Sequence, residues 1–438
     1  MTVEAAPPPS VPSSMSVASP DAASAGSVAS AGSVASAGSA GSAGSAGSAA
    51  SAGSGSSAGS PGPAPAAGGA ATTSWADLIG TLLAGESLPR AHTAWAMDQI
   101  MAGAASHAQI AGFAVGLRAK GETAAEIGGL VEAMLAHAAP LRVSAETRAR
   151  AVDTCGTGGD RSNTVNISTM AALVVAGAGV PVIKHGNRAA SSSCGSADLL
   201  AELGVIVDLP PAGVAESMAK AGIAFCFART FHPAFRHVAV PRSDLGVPTA
   251  FNILGPLTNP AHPGAQAIGV ADPRLAPVVA QVLADRGTRA LVFRGDDGLD
   301  ELSPVTTSSV WVVPGSAGGP PSSAPAEPPR RERFDPREVG IHVPNVAALR
   351  GADAPHNAAV TRGVLAGEPG PVRDAVLLAA AAALVAAAGP TPASIAEQIL
   401  GALPVAAESL DSGAARTLLD TWVAASQAAA APGASSPS

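Results

Sequence analysis

The chain reads as an α/β protein: a small all-helical domain, then a larger α/β domain with a central, mostly parallel sheet flanked by helices. Three observations predict this. Apolar residues recur at helical spacing from Ser74 to Ala139, and beyond Ser144 short apolar strands alternate with helices. Ahead of both lies a stretch composed almost entirely of Ser, Ala, Gly and Pro.

That leading stretch, residues 1–72, is expected to be a disordered tail. Ser24 to Ser60 repeats Ser-Ala-Gly and Ser-Val-Ala units with no charge and no large apolar side chain, so it cannot bury enough surface to offset chain entropy. Met1 to Pro20 carries Glu4 and no Lys or Arg, which is not the basic start of a secretory signal.

The helical domain is placed at 73–143. Trp75, Leu78, Ile79, Leu82 and Leu83 follow a Ser74 cap, and the Thr123-x-x-Glu126 box opens a helix carrying Ile127, Leu130, Val131, Met134 and Leu135. The α/β domain is placed at 144–426. Its strand candidates are Val180 to Ile183, Val205 to Val207, Ile223 to Phe227, Ala267 to Val270, Ala290 to Phe293 and Val310 to Val313. Helices are expected between them at Ser168 to Ala176, Ser196 to Leu203, Pro211 to Ala221 and Leu275 to Arg286. Residues 315–329 form a low-complexity insert, and 427–438 a frayed tail.

Composition narrows the function classes. The apolar run Ala375 to Ala388 is too short to span a bilayer core and reads as a buried helix, so no membrane partner is expected. Cys155, Cys194 and Cys226 form no C-x-x-C pair, which argues against a disulfide framework or structural zinc and fits a reducing cytoplasm. A net charge of -8 disfavours a general nucleic-acid surface, so any phosphate binding must be local.

Three loops carry the chemistry. Asp153-Thr-Cys-Gly-Thr-Gly-Gly-Asp160 follows a short strand and leads into a helix near Ser168; its glycines let backbone N–H groups approach an anion. The bland alternative is a glycine-rich turn with no ligand. Asp160 would repel a phosphate unless it bonds a sugar hydroxyl or a metal-bound water, which suggests a sugar phosphate. Lys184-His-Gly-Asn-Arg188, followed by Ala-Ala-Ser-Ser-Ser193, brings a Lys, an Arg, an amide and hydroxyls to one strand-to-helix loop, where open α/β sheets bind ligands.

The third loop, Arg294-Gly-Asp-Asp-Gly-Leu-Asp-Glu301, is either a solvated acidic turn or, through Asp300 and Glu301, a pair of the hard oxygen ligands Mg²⁺ prefers. Arg242 has the fork geometry for a substrate carboxylate. On residue type alone it is equally a surface arginine. Cys155, with no neighbouring base, reads as packing and not as a nucleophile.

With these stretches in hand, the chain resembles the anthranilate phosphoribosyltransferase family from about Ser74 to Trp422. G-T-G-G-D, N-I-S-T, K-H-G-N-R with S-S and G-S-A-D, H-P-A, F-N-I-L-G-P-L-T-N-P and D-G-L-D-E occur in the family's order. Ala96-Met-x-x-Ile-Met-x-Gly103 and Lys120-Gly-Glu-Thr123 match as well. The resemblance implies a helical domain hinged to the α/β domain, part of 232–260 returning to the helical side, and a homodimer through the helical domain. It also implies transfer of the 5-phosphoribosyl group from phosphoribosyl pyrophosphate to the amine of anthranilate, the second step of tryptophan biosynthesis.

By the same resemblance, Gly156, Gly159, Asp160, Thr164, Asn166, Ile167, Ser168, Thr169, Lys184, His185, Gly186, Asn187, Arg188, Ala189, Ala190, Ser191, Ser192 and Ser196 surround phosphoribosyl pyrophosphate. Ser168, Asp300 and Glu301 hold Mg²⁺, while Gly156, Asn187 and Arg242 meet anthranilate. Lys184 and Asn187 are the catalytic candidates. Many members carry Arg where Pro248 precedes Thr249, which leaves more of the carboxylate recognition to Arg242. Two rival readings are a pyrimidine nucleoside phosphorylase of the same architecture and a non-catalytic paralogue that binds nucleic acid or acts as a scaffold. The complete K-H-G-N-R and D-G-L-D-E stretches oppose the first, and the retained donor residues without a basic face oppose the second.

Overall fold

The computed structural model describes residues 73–189, 193–315 and 328–431. The leading tail, Ala190 to Ser192, most of the low-complexity insert and the last seven residues lie outside the described residues.

Four helices open the described residues: α1 (Trp75–Leu83), α2 (Arg90–Met101), α3 (His107–Lys120) and α4 (Ala124–Ala136). Their starts are chemically specified. The Ser74 side chain accepts from the Asp77 N–H, and reciprocal capping boxes at Ser106 with Gln109 and Thr123 with Glu126 satisfy the free amides of α3 and α4. Glu126 is fully buried; it takes the Leu88 N–H at 2.9 Å and the Lys120 ammonium at 2.8 Å, so its charge is paired and hydrogen-bonded.

After the short α5 (Ala145–Arg150) comes a seven-stranded sheet. Its strands are β1 (Val152–Gly156), β2 (Val182–Gly186), β3 (Ile223–Phe227), β4 (Ala265–Gly269), β5 (Arg289–Gly295), β6 (Ser308–Val313) and β7 (Arg330–Phe334), in the order β3-β2-β1-β4-β5-β6-β7. The first five are parallel, whereas β6 and β7 add antiparallel to one edge. Helices α6 (Ile167–Gly177), α7 (Ser196–Glu202) and α8 (Pro211–Ala221) connect the early strands. The short α9 (Ala228–Phe231), α10 (Ala239–Leu245) and α11 (Leu254–Leu257) follow β3, and α12 (Ala276–Asp285) joins β4 to β5. Helices α13 (Ala354–Leu365), α14 (Pro371–Ala388), α15 (Ile395–Asp411) and α16 (Ala414–Ala430) close the chain.

Two large cores and a smaller one, around Ile183, Ala224 and Cys226, pack on the sheet. On one face α14 lies over β1, β4 and β5 and is sandwiched by α6 and α15. Helix α14 is long and apolar enough to cross a membrane, but most of its side chains are buried in this core. On the other face α12 packs against α4, so the helical segment and the sheet share one apolar cluster. From the β3–β4 connection, Pro233–Val238 packs on α2 and α10 on α3.

Several readings from the sequence need correction. Val205 to Val207 is not a strand. Val205 and Val207 are buried as core anchors of an unpaired loop, which mimics strand alternation. Strand β1 begins at Val152 and contains Asp153, Thr154 and Cys155, so part of the first motif is strand and not loop. The edge strand β7, Arg-Arg-Glu-Arg-Phe, escapes an apolar search because its side chains are mostly exposed and charged. Helix α16 runs to Ala430, beyond the Gln427 at which a frayed tail is expected, with Ala429 buried against α8.

Candidate active site

The carboxyl ends of the parallel strands carry all three loops. Gly156 ends β1 and pairs across the sheet with Gly269, the end of β4. Both positions exclude a side chain because Asp300 lies against them: a Cβ on Gly156 would sit 2.2 Å from its Oδ2, and one on Gly269 would sit 1.6 Å from its backbone oxygen. The next residues curl over the same carboxylate, with Gly158 and Gly159 at positive φ and the Gly158 N–H donating to Asp300 Oδ2 at 2.7 Å. Arg161 and Asn163 also adopt positive φ, which is strained for residues with a Cβ. The Asp160 carboxylate accepts from the Ser162 N–H at 3.2 Å and hydroxyl at 2.6 Å. Thr164 forms an isolated bridge with Arg350 at the back of this loop.

Ser168, Asp300, Glu301 and Lys184 converge below it. The Lys184 ammonium donates to the Thr154 carbonyl and lies 3.3 Å from Ser168 Oγ, and the lysine is 2% exposed. The ammonium sits beneath the loop, oriented on the Ser168 hydroxyl. Burial pushes the Asp300 carboxyl up, and the nearby Asp160 adds to this. Burial and then Asp300 do the same to Glu301, against the pull of Lys184 and the Ser168 N–H. Crowded acids of this kind are relieved by a cation. Among the described residues no three His, Cys, Asp or Glu side chains form a closed metal cage. Two adjacent carboxylates and a hydroxyl, open toward the loop, fit Mg²⁺, which keeps waters and takes phosphate oxygens.

The second loop is held by its own helix. Asp198, on α7, accepts from the Ala189 N–H at 2.9 Å, the Gly195 N–H at 3.0 Å and the Arg188 guanidinium at 2.7 Å. Those partners hold its carboxyl below the usual range against the opposing effect of burial. Ser196 Oγ donates to the Asn187 carbonyl at 3.3 Å, and a Cβ on Gly186 would meet that hydroxyl at 2.3 Å. Asn166 bonds the Cys194 carbonyl and Asn357, tying the first loop to the second and to α13. The side chains of Ile167 and Thr169 are buried in the first turn of α6.

A cavity of about 400 Å³ opens beside the two loops. Gly156, Asn187 and Arg242, which the sequence reading groups together, all line it, and Met134 of α4 contributes from the helical segment. Arg242 stacks over Phe235, 5.5 Å from the ring centroid; burial lowers its guanidinium, and among the described residues no carboxylate pairs with it. His185 and His232 also line the cavity, with rings 5.2 Å apart. His185 Nδ1 faces the Gly255 carbonyl and His232 Nε2 the Thr258 carbonyl, both at 2.8 Å. A carbonyl only accepts, so these nitrogens carry the protons, and His185 Nε2 and His232 Nδ1 remain as unpartnered acceptors. Burial pushes the two imidazoles down to about 3 and about 4, with His232 adding to the shift of His185.

Known proteins resemble this chain in sequence and fold. The family model described as "Glycosyl transferase family, helical bundle domain" matches residues 76–138, and "Glycosyl transferase family, a/b domain" matches 148–416. An anthranilate phosphoribosyltransferase of Frankia alni is 78% identical over 361 residues, covering 82% of this chain and 98% of the relative. That of Acidothermus cellulolyticus is 59% identical over 82% of this chain and 97% of the relative. This chain belongs to the anthranilate phosphoribosyltransferase family. It is a glycosyltransferase that transfers a phosphoribosyl group. The crystal structure of anthranilate phosphoribosyltransferase from Thermus thermophilus superposes with a TM-score of 0.71 at 42% identity, covering 80% of this chain and 99% of that one. The Saccharomyces cerevisiae enzyme in complex with phosphoribosyl pyrophosphate and Mg also gives 0.71, at 25% identity, over 81% of this chain and 98% of that one.

The structure adds positioning residues for which the sequence reading has no role. Asp153 is fully buried on β1 and accepts from the His185 N–H at 3.1 Å and Asn259 Nδ2 at 2.9 Å, and Asn259 also donates to the Ile183 carbonyl. Burial pushes Asp153 up to about 6 despite Lys184. This network fixes the end of β2 from which the second loop springs. Asp153 and Asn259 both lie inside quoted motifs, yet only the fold brings residues 106 positions apart together.

Proposed function

We propose that this anthranilate phosphoribosyltransferase seats phosphoribosyl pyrophosphate on the Gly156–Asn166 and Lys184–Ser196 loops and anthranilate in the adjoining cavity. The transferred group passes from the first to the second. The observation that carries this division is the single cavity holding Gly156, Asn187 and a desolvated Arg242 at the rim of both loops. A guanidinium over an aromatic face suits an aromatic carboxylate, which it engages as a fork while Phe235 and Phe251 offer apolar walls.

Asn187 stands in both the loop and the cavity, so it orients the two reactants. The amine of anthranilate is an aromatic amine, largely neutral at pH 7, and attacks without a strong base. The N–C1 bond forms as the C1–O bond to pyrophosphate breaks; the electron pair leaves with pyrophosphate, and the acidic proton of the alkylated amine passes to water. His185 and His232 wall the cavity as neutral rings whose second nitrogens are buried, so they shape the acceptor seat. Mg²⁺, held by Asp300, Glu301 and Ser168, supplies neutralisation of the departing pyrophosphate when bound. Lys184 positions Ser168 and faces Glu301, and the barrier falls mainly through placement of the amine against C1.

The reaction is the phosphoribosyl transfer of tryptophan biosynthesis, and the chain works in the cytoplasm with no nucleic-acid or membrane partner. A homodimer through the helical domain is supported by exposed Leu83 on α1, Val115 on α3 and Val240 on α10, three apolar side chains on neighbouring elements. Purified protein mixed with phosphoribosyl pyrophosphate, Mg²⁺ and anthranilate should consume anthranilate fluorescence and release pyrophosphate in equal amounts. Folded protein that leaves the fluorescence unchanged would refute the assignment.

A further inference from the structure

The amino-terminal end of the parallel strands, five residues of strand or about 16 Å from the catalytic loops, holds a second feature of unexpected charge. A cavity of about 1160 Å³ is walled by Arg90, Arg148, Arg286, Arg289 and His262. Four of the chain's 25 basic residues thus meet at one place in a protein of net charge -8. Among the described residues the one carboxylate on the wall is Asp285, already bonded by Gln281 at 2.8 Å.

Part of this charge is structural. Arg286 donates to the Leu257 carbonyl at 2.7 Å, Arg289 to the carbonyls of Ala149 and Gly264, and Arg90 pairs with Glu132 at 3.0 Å. Each guanidinium has five N–H donors, so these bonds leave donors over. The side chains of Arg148 and His262 have no hydrogen-bond partner among the described residues. The groups also repel one another: burial and Arg90 push Arg286 down to about 10, and burial, Arg286 and Arg148 lower His262. Like charges held together in this way, with Glu132 pairing Arg90 alone and Asp285 the one carboxylate on the wall among the described residues, are satisfied by an anion.

We propose that this rear cavity is a second anion site, taking a phosphate or diphosphate group between Arg148, Arg286 and Arg90. Arg90 begins α2, whereas Arg148 and Arg286 belong to α5 and the end of α12. A bound anion therefore ties the helical segment to the α/β domain behind the catalytic cleft. The group arrives either as a free inorganic anion or on a small organic ester. An adjoining apolar recess of about 530 Å³, which shares Ala149, Arg289 and Ala388 with the cavity and is lined by Leu384 and Val385, offers room for an organic body.

The test is isothermal titration of the full chain at fixed ionic strength with inorganic pyrophosphate, and separately with inorganic phosphate and phenyl phosphate. Two pyrophosphate sites per chain are expected. Arg148→Ala should weaken one of them about tenfold, the loss of a charged hydrogen bond, and leave the other. Arg286→Gln should do the same. The Arg148 side chain is exposed and makes no hydrogen bond among the described residues, so its variant remains informative even if Arg286→Gln does not fold. Lys184→Ala should retain the rear site. A single site that Arg148→Ala weakens supports the rear cavity while counting against the catalytic loops. A single site that Lys184→Ala removes, or affinities unchanged in both arginine variants, overturns the proposal. Tighter binding of phenyl phosphate than of inorganic phosphate identifies an ester-borne group, and equal binding a free anion.

Discussion

The N–H of Gly158 donates to Oδ2 of Asp300 at 2.7 Å, closing the first loop onto a carboxylate 142 residues further along the chain. The same oxygen would lie 2.2 Å from a Cβ on Gly156, far inside any real contact. Gly156→Ala must therefore displace Asp300 and open this hydrogen bond. Steady-state kinetics should show kcat/KM reduced at least about tenfold, the scale of one lost charged hydrogen bond, with the Mg²⁺ requirement raised. Wild-type rates at wild-type Mg²⁺ would show that the contact is unimportant.

Asp300 and Glu301 hold raised carboxyls because burial disfavours their charges, helped by Asp160 beside Asp300 and by Asp300 beside Glu301. Replacing both with Ala should abolish Mg²⁺ dependence and reduce turnover to a small residue. In Mg²⁺-free buffer at pH 8 the same variant should melt higher than the parent, since two repelling charges are gone. Retained Mg²⁺ activation would move the metal elsewhere.

The two cavity histidines set an acid limit. Their folded values, about 3 and about 4, lie below the ordinary imidazole value of 6.5, so folding keeps them neutral. A depressed value means that their contribution to stability is complete above pH 6.5 and is lost as pH falls toward 4 and then 3. Melting temperature should decline over that window, and the decline should be shallower in His232→Gln. Because both stay neutral through the working range, no activity inflection near pH 6.5 should arise from them. A midpoint near 6.5 that disappears in His232→Gln would contradict a neutral imidazole.

Much of this was legible in the sequence because it is local. The caps at Ser74 and Thr123, the alternation from β2 to β6 and the glycine-rich loop after Cys155 all express short-range rules. Gly156, Asn187 and Arg242 could be grouped only by resemblance, since 86 residues separate the first from the last. The Asp153–Asn259 network was invisible because a buried carboxylate between two strands resembles any polar residue in a motif. Strand β7 was missed because an edge strand needs no apolar pattern, and Val205 to Val207 was misread because a buried loop has one. The burial of Lys184 beneath Thr154 and Ser168 depends on strand register, which spacing does not reveal.

The division of the site between donor loops and acceptor cavity is tested most directly by comparing Michaelis constants in two variants. Arg242→Ala should raise the constant for anthranilate about tenfold or more while leaving that for phosphoribosyl pyrophosphate near wild type, as expected for loss of a buried guanidinium–carboxylate pair. Lys184→Ala should do the reverse. Equal effects of Arg242→Ala on both substrates would contradict the separation of the two seats.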